Sequence, residues 1–167
     1  SWYESWWKRT WKSSSGVSSP DVVLADVVVV VATRNEETHL KECIESLLVA
    51  SRGEAELIFV DDGSTDRSRE ILVSYEPRLK ILKGEGKGPG HARNLGFRAT
   101  RRNWIAFTDA DCIVSPDWLL RLTEGLRGGS QDGASIGGLQ TVSSKAGPRE
   151  RLVAKFLETV GFVSDYL

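Results

Sequence analysis

The chain has 167 residues, about the size of one domain, and its 27% charged and 40% hydrophobic content is ordinary for a globular protein. The formal net charge of −1 gives no overall field that would attract nucleic acid, so we expect no nucleic-acid partner. The only two cysteines, Cys43 and Cys112, are far apart, which is typical neither of a disulfide framework nor of a metal site. We therefore expect a reduced, cytoplasmic protein.

Residues 1–26 differ in composition from the rest of the chain. Four of the six tryptophans lie within the first eleven residues, with Lys8, Arg9 and Lys12 among them. Such a mixture suits the surface of a membrane, at its cytoplasmic face, but a poorly ordered leader, or a helix that docks on a missing part of the protein, accounts for it as well. No run reaches the ~18 apolar residues of a membrane span. Because methionine is absent even at position 1, we expect a processed, excised or incomplete chain.

A regular pattern begins after this leader. Residues 27–31 are all valine, as expected for a buried parallel strand. Apolar residues at helical spacing predict a helix over residues 37–50, and a second buried strand follows over residues 57–60. Ser64 is then predicted to cap the next helix, before a short third strand over residues 79–82.

The second half of the chain repeats this alternation. A glycine-rich loop over residues 84–90 precedes a helix predicted over residues 91–101 and a fourth strand over residues 104–107. A serine, a proline and an aspartate at residues 115–117 then predict the start of another helix.

Weaker patterns predict a fifth strand over residues 134–139 and a helix over residues 150–162. Strands that alternate with helices indicate an α/β fold with a Rossmann-like, mostly parallel sheet. We divide the chain into a leader with its linker, a main domain and a helical segment, over residues 1–26, 27–142 and 143–167.

Polar clusters follow each of the four predicted strands, over residues 33–36, 61–66, 87–90 and 109–111. In sheets of this kind, ligands bind beyond the carboxyl ends of the strands. The four clusters are therefore expected to meet in one site.

The acidic pair Asp109 and Asp111 is the strongest metal candidate. On an extended chain, residues two apart point the same way, so both carboxylates would leave the strand on one side. Two such oxygen donors suit Mg²⁺ or Mn²⁺ that also binds a substrate phosphate. Taken alone, such an acidic pair does not indicate a metal site, because acidic residues often end a strand as solvated turn residues.

Other clusters allow more than one interpretation. Asp62 could accept a hydrogen bond from the N–H of a base such as uracil, whereas Asp66 is better interpreted as a structural turn residue. Residues 33–36 either contact a base and ribose or begin a helix. Lys87 or Arg93 could face a phosphate across the glycine-rich loop.

Four segments in order, VVVVVATRNEE, LIFVDDGSTD, GKGPGHARNLGFRAT and WIAFTDADCIVSPDWLLRL, resemble glycosyltransferase family 2, whose members are inverting enzymes with the GT-A fold. The resemblance implies that the nucleotide is held by Ala32, Thr33, Arg34, Asn35, Glu36 and Asp62. It places Lys87 and Gly88 along the donor, with Arg93 and Asn94 as support. It also implies that Asp109 contacts the ribose or the metal and that Asp111 ligates the metal.

Two departures from the family pattern matter. Ala32 stands where the family usually has proline. The acceptor-binding half, which normally carries the catalytic base, is not recognisable, and neither Glu158 nor Asp165 lies in the expected E-D pair. We therefore expect the general base to lie beyond Leu167.

The sequence thus predicts a metal-dependent, inverting glycosyltransferase with a nucleotide-diphosphate sugar as donor, preferably a UDP-sugar, and a glycan or lipid-linked acceptor. A non-catalytic module that binds nucleotide sugars is the alternative. A nucleotidyltransferase would need a glycine-rich phosphate loop directly after the first strand, and residues 33–36 are not one.

Overall fold

A computed structural model describes residues 22–126. Most of these belong to one compact unit, Asp21–Glu124. The Trp-rich part of the leader, the predicted strand over residues 134–139 and the predicted helix over residues 150–162 lie outside the described residues. So does the domain boundary predicted near residue 142.

Four parallel strands form one sheet, in the order β3-β2-β1-β4. Their bounds are β1 Val27–Thr33, β2 Glu56–Asp61, β3 Lys80–Lys83 and β4 Trp104–Asp109. The run of valines in β1 is buried because this strand has a neighbour on either side and apolar side chains on both faces. The predicted α/β fold with a parallel sheet is confirmed.

Each connection between consecutive strands contains a helix. A 3₁₀ turn, Leu24–Asp26, leads into β1, and the helices are α1 Leu40–Ser51, α2 Ser68–Ser74, α3 Pro89–Arg98 and α4 Trp118–Leu126. Helix α3 covers the sheet face that carries Val28, Val30, Ile58 and Val60, which form a core cluster with Ala92 of the helix. The start of α3 is thereby held at the carboxyl edge of β1 and β2.

Two helices begin later than the sequence indicates. Helix α1 starts at Leu40 rather than at residue 37, and α2 starts at Ser68, so the predicted cap at Ser64 is wrong. The reason is that the preceding loops hydrogen-bond to each other, and Ser64 Oγ accepts the N–H of Asn35 at 3.1 Å instead of capping a helix. Within residues 22–126, no helix is long and apolar enough to cross a membrane.

Candidate active site

The carboxyl ends of the strands border a cleft of about 370 Å³. The residues that line it are Ala32, Thr33, Arg34, Glu36, Asp62, Gly88, Pro89, Arg93, Asp109, Ala110 and Asp111. The structure thus brings together most of the predicted site residues. Asn35, Lys87 and Asn94 are not part of this lining, while Pro89 and Ala110 belong to it and lie within the predicted clusters, although the sequence assigned them no role.

Strand register explains why residues far apart in the chain meet here. Ala32 of β1 lies beside Asp109 of β4, and Thr33 lies beside Asp61 of β2. Thr33 is only 1% exposed, and its Oγ1 has no hydrogen-bond partner within the described part of the chain. A buried hydroxyl in the lining of a cleft can donate to and accept from a bound molecule.

The acidic pair has a geometry that differs from the prediction. Strand β4 ends at Asp109, and the Asp109 carbonyl accepts the N–H of Cys112 at 3.1 Å, so the chain turns at Ala110 and Asp111. The expectation of two carboxylates on one side of an extended strand was therefore wrong. Both aspartates nevertheless line the cleft, because the turn wraps around its rim.

Arg93 reaches this rim from α3. Its guanidinium forms an ion pair with the carboxylate of Asp109. Among residues 22–126, no lysine or arginine forms such a pair with Asp111, which is exposed. Both carboxylates are exposed, and they differ in that Asp109 has a cationic partner.

Asp62 occupies the floor of the cleft and is 2% exposed. Its Oδ1 accepts the N–H of Gly86 at 2.8 Å, and its Oδ2 accepts the N–H of Gly88 at 2.7 Å. Its own N–H donates to the Thr33 carbonyl at 2.8 Å. Both carboxylate oxygens are thus engaged with the glycine-rich loop, which in the structure spans residues 84–88.

The loops after β1 and β2 are joined by reciprocal hydrogen bonds, which we call the loop clamp (residues 35–37 with residues 64–68). Asn35, at φ 57°, accepts the N–H of Thr65 on Oδ1 at 2.8 Å, and Glu36 donates its N–H to Ser68 Oγ at 2.8 Å. Asp66 accepts the N–H groups of Glu37 and Ser68 at 3.1 and 2.9 Å. The structural interpretation of Asp66 is confirmed.

Lys87 lies on the exposed side of the glycine-rich loop, where its Nζ pairs with the carboxylate of Glu85. This hydrogen bond and charge lower the pKa of Glu85, and the nearby His91 adds to the effect. His91 lies in the first turn of α3, as the sequence indicated, with Nε2 3.7 Å from Glu85 Oε2. The predicted contact of Lys87 with a donor stays a prediction.

Cys43 lies directly behind the acidic turn, a position that sequence reasoning missed. Its Sγ donates to the Asp109 carbonyl at 3.6 Å. Burial, together with the neighbouring Cys112 and the negative charges of Asp111 and Asp109, raises the pKa of Cys43 to about 12. Cys43 is therefore a neutral thiol that supports the turn from below. No local pattern links it to a residue 66 positions away.

The donor set at the rim fits a divalent cation that is shared with a ligand. Within the described residues, no group of three or more His, Cys, Asp or Glu side chains could hold a metal. Two carboxylates leave most of the coordination sphere of Mg²⁺ or Mn²⁺ to water and phosphate oxygens, which is how such ions bind with nucleotides.

Residues 28–154 match the family model described as "Glycosyl transferase family 2". The match covers more than half of the chain and includes every residue that lines the cleft. The chain belongs to glycosyltransferase family 2. This assignment confirms the resemblance on which the site residues were predicted, while the role of each residue stays a prediction.

Three similar proteins illustrate the relationship. The succinoglycan biosynthesis protein ExoO of Rhizobium meliloti (strain 1021) is 38% identical over 101 residues, which cover 59% of this chain and 29% of that protein. A structure of S. aureus TarS 1–349 in complex with UDP-GlcNAc is 30% identical, with a TM-score of 0.53 over 57% of this chain and 29% of that one.

The third protein is glucosyl-3-phosphoglycerate synthase from Mycobacterium tuberculosis, in a structure with Mn²⁺, UDP and phosphoglyceric acid. It is 28% identical, with a TM-score of 0.52 over 60% of this chain and 38% of that one. The chain therefore spans less than two fifths of each of these proteins.

Proposed function

We propose that the protein transfers a sugar from a nucleotide-diphosphate sugar to an acceptor hydroxyl, with inversion at the anomeric carbon. The observation that carries this proposal is the single cleft that unites a buried polar floor, Thr33 and Asp62, with a charged rim, Arg93, Asp109 and Asp111. A floor of this kind suits a base and ribose, and the rim suits a diphosphate. Membership of family 2 supports the same assignment.

We favour a uridine nucleotide as the donor. The TarS structure contains UDP-GlcNAc and the M. tuberculosis synthase structure contains UDP, and both share this half of the fold with the chain. For the acceptor we propose a glycan or a lipid-linked glycan, because ExoO is named for succinoglycan biosynthesis. Association with the cytoplasmic face of a membrane stays a prediction from the leader, residues 1–26.

We propose Mg²⁺ or Mn²⁺ as the cofactor, with Asp111 as the direct ligand and Asp109 as its helper. Asp111 is exposed at the rim without a competing ion pair in the described part of the chain, whereas Asp109 is already paired with Arg93. When bound, the cation would offset the negative charge that develops on the departing diphosphate. The M. tuberculosis synthase structure, which contains Mn²⁺, supports a divalent cation in the family.

The residues of this chain contribute mainly by holding the donor. Arg93 supplies a planar cation at the rim of the cleft, and such a group binds phosphate oxygens well. Gly88 and Pro89, at the start of α3, line the cleft beside it. In the transfer, the bond from the anomeric carbon to the diphosphate oxygen breaks as the acceptor oxygen bonds to the opposite face. The acceptor proton passes to a carboxylate base, which we place beyond Leu167.

Calorimetry with UDP-, GDP- and dTDP-sugars, with and without Mn²⁺, tests this proposal. We expect Asp111→Asn to weaken Mn²⁺-dependent nucleotide binding by about tenfold or more, since a charge-assisted contact of ~1.5–3 kcal/mol is removed. Asp109→Asn should weaken it less. Asp117→Asn, at a partly exposed aspartate that pairs with Arg121 outside the cleft, is the matched control.

Two outcomes would contradict the proposed site. In one, no nucleotide sugar binds the wild-type chain with or without Mn²⁺. In the other, Asp111→Asn binds metal and nucleotide as tightly as the Asp117→Asn control. Sugar transfer to an acceptor, measured on the full-length protein, then separates an enzyme from a module that only binds the donor.

A further inference from the structure

The segment between β4 and α4, residues 110–117, has no regular secondary structure, and it carries Asp111. Asp111 is exposed, so its side chain has little packing of its own to keep it in place. A divalent cation binds best when its ligands are already held in position by neighbouring groups. The contacts that hold this segment therefore bear directly on the site at the rim of the cleft.

Helix α1 binds the backbone on both sides of Asp111. Cys43 Sγ donates to the Asp109 carbonyl at 3.6 Å, and Ser46 Oγ accepts the N–H of Val114 at 3.2 Å. The first bond precedes Asp111 in the chain and the second follows it. A single helix thus holds the segment at two points that enclose the proposed metal ligand.

The hydroxyl of Ser46 is oriented for its part in this support. It donates its proton to the Cys43 carbonyl, one turn earlier in α1, at 2.8 Å. Because the proton is used within the helix, the oxygen presents a lone pair outward, and Val114 donates its N–H there. One oxygen atom therefore links α1 to the segment.

Helix α1 is suited to act as a fixed support. Its inward side chains, Leu40, Cys43, Ile44 and Leu47, are fully buried. A displacement of the helix would expose this apolar surface to water, so α1 moves less readily than an exposed turn does. Ser46 is half-buried at the border of this face, where it reaches the segment.

We propose that Ser46 is a positioning residue for the metal site, which holds the segment after β4 so that Asp111 stays at the rim of the cleft. Cys43 supports the same turn from its other side. Ser46 is not part of the cleft lining, so it acts through the backbone of the segment. The inference rests on the proposed function for its effect on the cation, but the bond to Val114 can be tested without any ligand.

The first test is the amide spectrum of the full chain without ligand, labelled with ¹⁵N, in wild type and in Ser46→Ala. We expect the amide signal of Val114 to shift, because its acceptor is lost. The amide signal of Asp111 should shift as well, because the segment moves when it is released. An unchanged Asp111 signal in Ser46→Ala would overturn the proposal.

Ser51→Ala is the matched control on the same helix. Ser51 Oγ likewise donates to a carbonyl one turn earlier, that of Leu48 at 3.0 Å, and it accepts a loop N–H, that of Gly53 at 3.4 Å. It lies at the end of α1 and contacts a different loop. Its variant should therefore leave the amide signals of Val114 and Asp111 as they are in wild type.

The second test measures Mn²⁺ and UDP binding by calorimetry. Loss of one hydrogen bond predicts that Ser46→Ala weakens the binding of Mn²⁺ by about two- to tenfold. The binding of UDP without Mn²⁺ should equal that of wild type, because only the metal ligand is displaced. An equal loss for metal-free UDP, or an affinity for Mn²⁺ equal to that of Ser51→Ala, would contradict a role in positioning the metal site.

Two further variants separate the hydroxyl from the shape of the side chain. Ser46→Thr keeps the hydroxyl, and Ser46→Val has nearly the same shape without it. The threonine variant should bind Mn²⁺ about two- to tenfold more tightly than the valine variant, and equal affinities would overturn the proposal. If wild type binds neither Mn²⁺ nor UDP, the proposed function fails, while the amide spectrum still decides whether Ser46 holds the segment.

Discussion

Arg93 pairs with Asp109 across the rim of the cleft, while Asp111, two residues further along, has no such cationic partner among residues 22–126. The guanidinium therefore balances one of the two carboxylates before any ligand arrives. It also places a positive charge beside the position where a divalent cation would bind. Arg93 should accordingly affect metal and nucleotide in opposite directions.

Arg93→Gln should tighten the binding of Mn²⁺ alone by about three- to tenfold, because a neighbouring positive charge is removed and Asp109 is released. The same variant should weaken the binding of UDP with Mn²⁺, since the planar cation for the phosphate is lost. Both affinities are measured by calorimetry.

Arg69→Gln is the matched control for this prediction, because Arg69 makes a comparable ion pair with Asp61 at 3.4 Å and lines no part of the cleft. Its Mn²⁺ and UDP affinities should equal those of wild type. Tighter Mn²⁺ binding in Arg69→Gln would point to a general change in net charge instead of a local effect of Arg93.

Gly96→Ala should destabilise the fold by about 1–3 kcal/mol, the usual cost of an extra methyl group in a packed core. A Cβ at Gly96 would lie 2.3 Å from Val30 Cγ1, and Val30 is fully buried in the central strand. Gly90→Ala, on the same helix but with open space around it, should be neutral or slightly stabilising. Urea unfolding of both variants measures the difference, and equal midpoints would contradict this packing of α3 on β1.

Burial alone would raise the pKa of Asp66, but the hydrogen bonds from Ser68 and Glu37 outweigh it and lower the pKa below its ordinary value. A lowered pKa in the folded state stabilises the protein above the unfolded pKa, about 4, and this contribution disappears as the pH falls through the folded value. We therefore expect the free energy of unfolding to decline as the pH drops below about 4. Asp66→Asn should reduce stability at pH 7 and flatten this decline.

Asp26→Asn, at an aspartate outside the loop clamp, is the control for the acid unfolding series. If Asp66→Asn and Asp26→Asn gave the same pH profile, the hydrogen bonds of the loop clamp would not be the source of the acid sensitivity.

The sheet and the location of the site were predictable because each depends on local pattern. The consecutive valines of β1 can be buried on both faces only within a sheet, and polar residues directly after a strand lie at its carboxyl end. The strand order and the register that brings Ala32 beside Asp109 were not predicted from the sequence, and the structure supplies them. The strand pattern and the polar residues that follow each strand account for the predicted fold class and for the edge of the sheet at which the site lies.

What the sequence did not indicate depends on contacts between distant segments. The starts of α1 and α2 are set by the loop clamp, whose partners are about 30 residues apart. The turn at Ala110 is a local exception: the Asp109 carbonyl bonds to Cys112, three residues along, and the chain leaves the extended geometry assumed for the acidic pair. The bonds from Asp62 to the glycine-rich loop join residues 24 and 26 positions apart.

The cleft takes its lining from the ends of β1 and β4, from the loops that follow all four strands and from α3, over a stretch of chain from Ala32 to Asp111. A molecule that fills it therefore bridges segments that separate on unfolding. Such a ligand binds only the folded chain and raises its melting temperature in proportion to the logarithm of its concentration over Kd. A melting-temperature screen of nucleotide sugars can therefore rank donors without any knowledge of the acceptor.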